Sequence, residues 1–168
     1  GGTEQNGPYM TLGKHNARVL ELSTRIAQAL GNALVAPVIA YVPEGNITPP
    51  TQHMRFPGTI TVPERAFEAT LDAAARSFRA HGFRDIVFLG DHGGYQASLA
   101  RVAARLDKAW AGTPARVHAM PEYYRASSSG YAAMLAANGH ARAEIGTHAG
   151  LADTSLTLAT APQDVRSD

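Results

Sequence analysis

Apolar residues fall into two spacings along the chain, and their alternation predicts the elements. Val19, Leu22, Ile26 and Leu30 recur every three or four residues, which predicts a helix over 18–30 that Gly31-Asn32 stop. Ala33 to Val42 then runs apolar almost without a break, the pattern of a strand buried on both faces of a parallel sheet. After a long loop over 43–60, Thr61 and Glu64 stand at capping-box spacing. Phe67, Leu71, Ala74, Ala75 and Phe78 continue one helical stripe towards Gly82. Asp85 to Leu89 is the next strand, a helix follows from about Tyr95 to Trp110, and Ala115 to Met120 is a third strand. A short helix over 131–137 and an apolar segment from Leu156 to Ala161, closed by Pro162, complete the pattern. Strands alternating with helices predict an α/β fold, layered α/β/α, with a mainly parallel sheet.

Three polar loops interrupt this pattern, and each pairs a histidine with a carboxylate. The first, Gly1 to Asn16, contains Glu4, Asn6, Tyr9 and His15, with Gly7, Pro8 and Gly13 arguing against a regular element. The second, Gly90-Asp91-His92-Gly93-Gly94, leaves the carboxyl end of the Asp85–Leu89 strand, where α/β folds build their sites. The third runs from Thr147 through His148 to Asp153 and Ser155. Loops of this composition point to one metal or acid–base site assembled from distant segments.

Composition removes several alternatives. No cysteine is present, which excludes thiolate catalysis, cysteine-based zinc sites and disulfides. Fifteen basic and fourteen acidic residues, spread without long runs, offer no electrostatic case for nucleic acid or an anionic membrane. No apolar run approaches the roughly 18 residues of a membrane span. The length suits one domain over residues 1–168. The polar opening, with no initiator Met or targeting segment, leads us to expect that a leading strand is missing, with the C-terminal boundary open to the same reading. The compartment stays open between cytoplasm and periplasm.

Four ordered motifs resemble the creatininase (creatinine amidohydrolase) family, of which this chain looks like a divergent member; the family also includes formamide deformylases and a peptide-trimming peptidase. Its opening motif reads Gly-Ser-x-Glu-Gln-His-Gly-Pro-His-Leu-Pro-Leu-Gly-Thr-Asp, matched here at Gly2, Glu4, Gln5, Gly7, Pro8, Leu12 and Gly13. His53-Met54-Arg55-Phe56-Pro57-Gly58-Thr59 resembles His-Met-x-Phe-Pro-Gly-Thr, and Asp91 to Tyr95 resembles Asn-Gly-His-Gly-Gly-Asn. His148-Ala149-Gly150 with Asp153-Thr154-Ser155 resembles His-Ala-Gly followed by Glu-Thr-Ser.

The resemblance implies a two-metal centre, a small-molecule substrate and a homo-oligomer, commonly a hexamer. This chain departs from the pattern where it matters: Asn6 replaces a histidine ligand and His15 replaces the aspartate that bridges both metals. A carboxylate bridges two cations with two oxygens, whereas a neutral imidazole has one lone pair. The expectation is therefore one divalent ion per chain, zinc first and manganese second, on Glu4, His15, His92 and Asp153. Asp153 also suits a helix N-cap. Asn6, Tyr9, His53 and Asp91 are expected to contact substrate, and His148 to transfer protons. The implied chemistry is hydrolysis of an amide, cyclic amide or formamide C–N bond by a metal-bound hydroxide, with backbone N–H groups of Gly93, Gly94 and Gly150 near the oxyanion. The alternative is a non-catalytic small-molecule-binding protein with a decayed metal centre. A serine hydrolase is disfavoured, because residue 92 is His where a nucleophilic Ser is needed. His81, His118 and His140 match no motif.

Overall fold

The computed structural model of the chain describes residues 1–166. Its sheet is small and parallel: β1 (Asp85–Phe88) pairs with β2 (Arg116–Ala119), Ile86 opposite Val117. Helix α2 (Glu64–Ala80) enters β1 and helix α3 (Gln96–Ala109) connects it to β2, as a parallel pair requires. The stripe read from sequence is the one that packs. Phe67, Leu71 and Ala75 of α2 meet Leu99, Val102, Ala103 and Leu106 of α3, over Ile86, Phe88 and Val117. Trp110 closes this core at the end of α3.

Helix α1 (Lys14–Leu30) begins four residues before the predicted start, and its buried face is not the apolar stripe. Lys14, His15 and Arg18 are buried with Val19, whereas Ile26 and Leu30 are exposed. Polar partners on other loops, described below, outweigh apolar periodicity at this end. The other end stops as predicted, with Gly31 at φ 75° donating its N–H to Ala27 O.

The apolar run at 33–42 is not a buried strand. Leu34 is 80% exposed, and only Val42 is fully buried, through a parallel bridge to Thr61. Among the described residues nothing forms a continuous ladder with this segment, and Pro37 has no N–H to offer one. The capping box at Thr61 and Glu64 does not form either. Thr61 Oγ1 instead accepts from Glu44 N and donates to Gly45 O, while Glu64 accepts from Ser98.

After β2 the chain forms helix α4 (Pro121–Arg125), a π-helical turn over Ala126–Gly130, and helix α5 (Tyr131–Ala137). In that turn the Tyr131 N–H donates to Ala126 O, the five-residue spacing of a π turn, and the Ser127 and Ser128 hydroxyls donate to the Tyr124 carbonyl. Helix α6 (Arg142–Ile145) and helix α7 (Leu151–Thr160) follow, and α7 packs against α1. No helix among the described residues is long and apolar enough to cross a membrane.

Candidate metal centre

The three polar loops converge, together with the segment after Val42, beyond the carboxyl end of β1. Glu4 is held by its own loop, where its N–H donates to Leu12 O and the Gln5 N–H to Thr59 Oγ1. Glu44 follows the Val42–Thr61 bridge, and Gly45 behind it takes φ 121° with no room for a side chain against Thr51. His92 sits in the loop after β1, which Gln96 fastens by donating to Gly90 O and His92 O. Gly94 N–H donates to His92 Nδ1, so that N–H is committed to the imidazole rather than open to an oxyanion.

Glu4 and Glu44 are fully buried. Around Glu4, His15 Nε2 lies 2.6 Å and Asn6 Nδ2 2.8 Å from Oε1, and His53 Nδ1 2.8 Å and His92 Nε2 3.0 Å from Oε2. Burial alone would raise the pKa of Glu4, but hydrogen bonds from His15, His53 and His92 hold it far below the carboxylate range. Glu44 has the opposite fate. Burial, with the charge of Glu4 beside it, raises its pKa well above the ordinary value. His92 Nε2 approaches Glu44 Oε2 to 3.1 Å, yet without hydrogen-bond geometry, so both Glu44 oxygens are buried without a partner.

Glu4, Glu44, His53 and His92 each bring one donor atom within 4.8 Å of the others. Two carboxylates and two imidazoles suit zinc or manganese. The orphaned Glu44 oxygens are what a cation would satisfy, so these residues fit a metal ion.

The other residues singled out from sequence lie around this cluster in distinct ways. His15 is outside the four-donor group and bridges Glu4 to Asp91, with Nδ1 2.6 Å from Asp91 Oδ2. Asp153 is also outside it: Lys14 Nζ donates to Oδ2 and Arg18 Nη1 to Oδ1 at 2.9 Å, and Ala149 N–H reaches Oδ2 at 3.1 Å. Burial opposes ionisation of Asp153, but Lys14, Arg18 and the Ala149 N–H together outweigh it and lower its pKa. Asp91 is buried, taking Arg18 Nε on Oδ2 at 2.7 Å and the Tyr123 hydroxyl on Oδ1 at 2.9 Å. Despite its burial, the His15 contact and Arg18 bring its pKa down to about 2. Asn6 is buried with Oδ1 unpartnered, and Tyr9 is exposed on the rim of the first loop.

His148 lies exposed at the mouth, its ring 4.9 Å from that of His53, and partial burial lowers its pKa. Glu44, Lys14, Arg18 and Tyr123 were not found as site residues from the sequence. Glu44 had one legible signal, a lone carboxylate directly after an apolar run. Lys14 and Arg18 had none.

The fold and this cluster define an α/β protein with a histidine–carboxylate centre on the loops after a parallel strand. The creatininase family, described as creatinine amidohydrolase, matches residues 1–168, and the chain belongs to it. Relatives from Mycolicibacterium smegmatis and Mycobacterium tuberculosis, each named mycofactocin precursor peptide peptidase, are 28% identical over the whole chain. The chain spans 58% and 59% of their lengths. Among solved structures, a creatininase mutant complexed with creatine and a manganese creatininase each superpose with TM-score 0.78 at 23% identity, over 99% of this chain and 65% of theirs.

Proposed function

We propose that this chain holds one divalent cation, zinc before manganese, on Glu4, Glu44, His53 and His92, and hydrolyses an amide-type C–N bond beside it. Glu44 carries this reading, because two buried carboxylate oxygens without a partner, next to a second carboxylate, must take up either a proton, as the raised pKa reflects, or a cation that displaces it. When bound, the ion supplies Lewis acidity and an activated water. The chain's own residues do the rest. Glu4 and Glu44 present charge, the Gly90–Gly94 loop fixes His92, and the buried walls keep bulk water from the donors.

His148 is the residue we propose for proton transfer. Its lowered pKa keeps the imidazole neutral at pH 7, able to accept a proton at the mouth and pass it to the leaving nitrogen. Peptidase-named relatives support a peptide amide as the first substrate to test, ahead of lactams, cyclic imides and formamides. We further propose a homo-oligomer with residues 43–60 at a subunit boundary, supported by the exposed Ile47 and Phe56 there. Light scattering that reports monomer alone would count against that.

Elemental analysis of dialysed protein tests the central reading, with one equivalent of metal and hydrolysis in an amide screen expected. No stoichiometric metal, together with ligand-induced thermal stabilisation, would favour a binding protein instead.

A further inference from the structure

Resting on the single-cation reading above, we propose that Lys14 and Arg18 are built-in cations that limit the centre to one metal ion by holding the carboxylates of Asp153 and Asp91. Four carboxylates are buried together in this region: Glu4, Glu44, Asp91 and Asp153. Lys14 and Arg18, one helical turn apart on α1, are the buried lysine and arginine among them.

The geometry divides the carboxylates the same way. Glu4 and Glu44 belong to the four-donor cluster, whereas Asp91 and Asp153 do not. Every oxygen of the second pair already has a donor: Lys14, Ala149 and Arg18 on Asp153, and His15, Arg18 and Tyr123 on Asp91. His15 stands between the pairs, 2.6 Å from Glu4 on one side and 2.6 Å from Asp91 on the other. A second metal ion would have to take Asp153 away from Lys14, whose ammonium has no other side-chain hydrogen-bond partner, or Asp91 away from Arg18, which would then share Asp153 with Lys14 alone. Stranding a buried cation is strongly unfavourable, so the second ion does not enter. The role is specific to charge. Lys14 contacts no metal donor of the cluster, and it acts only by occupying Asp153.

The test counts zinc by elemental analysis after dialysis, with thermal melts across a zinc titration. Wild type and Lys14→Arg should each retain one equivalent. Lys14→Thr and Arg18→Met should each take up a second, and their melting temperatures should keep rising past the first equivalent. Asp153→Asn should still hold one, because Asp153 is not a donor to the bound ion. If the single variants do not fold, Lys14→Thr with Asp153→Asn removes both charges of one pair together and should again hold one. One equivalent in folded Lys14→Thr and Arg18→Met, or loss of zinc in either variant carrying Asp153→Asn, would overturn the inference. Two equivalents in wild type would also overturn it while leaving the hydrolase reading intact. No zinc in wild type would instead remove the reading on which it rests.

Discussion

Glu4 and Glu44 meet at one imidazole: His92 Nε2 lies 3.0 Å from Glu4 Oε2 and 3.1 Å from Glu44 Oε2. The ring donates to one carboxylate and leaves the other unsatisfied. Two acids in one buried site are driven apart in pKa, Glu4 down and Glu44 up, and a cation reverses the second shift.

Glu44→Gln should therefore separate metal binding from stability. Zinc affinity should fall by 10-fold or more, since a carboxylate donor is lost. The metal-free protein should melt higher by about 2–4 °C for each 1 kcal/mol of relieved repulsion. Calorimetric titration with zinc and melts in chelator check the two signs. A metal-free variant less stable than wild type would contradict this account.

His92→Ala should lose metal and turnover together. His148→Ala should keep the metal and lose about 10²–10⁴-fold in turnover, the usual worth of a positioned acid–base group. If His148→Ala released zinc as readily as His92→Ala, His148 would belong with the metal donors.

Stability should also fall in acid through Asp91. Its pKa is about 2 in the folded chain against 3.8 ordinarily. A depressed acid contributes stability that is present above its unfolded value and lost as pH falls through its folded value, here between about 4 and 2. The contribution is of order 2 kcal/mol. Urea unfolding at pH 5, 3 and 2 should show the loss, and Asp91→Asn should flatten that part of the profile.

Gly7 of the first loop lies against Ala149 of the last. It takes φ 73°, and a Cβ there would come within 2.8 Å of Ala149 Cβ. Gly7→Ala should destabilise the protein by about 1–3 kcal/mol and loosen metal binding, because strain in this loop displaces Glu4. An unchanged melting temperature would show that the loop yields freely.

Periodicity exposed the fold where apolar packing decides it. The stripes of α2 and α3 and the strands β1 and β2 lie where spacing put them, because Phe67, Leu71, Leu99 and Leu106 answer only to the core. It failed where pairing decides. Ala33 to Tyr41 is apolar enough for a central strand but finds no ladder, and α4 with its π-helical turn is built from Tyr123, Tyr124 and serines that carry no apolar period. At the site, Glu4 and His92 stood out in Gly-rich loops. Lys14, which matches no motif, is nearly inaccessible, and its partner Asp153 lies far along the chain.

That separation has a consequence during synthesis. Arg18 precedes Asp153 by 135 residues. At about 5–20 residues per second, roughly 7–27 s pass between the two leaving the ribosome. Throughout that interval Lys14 lacks its anion, and Arg18 has at most Asp91, made 73 residues after it, so the first turn of α1 keeps a charge in water. The docking of α1 onto α7 thus waits for Asp153 and the helix that carries it. A nascent chain released before α7 would keep this helix undocked and readily cut by proteases, a built-in signal that translation stopped short.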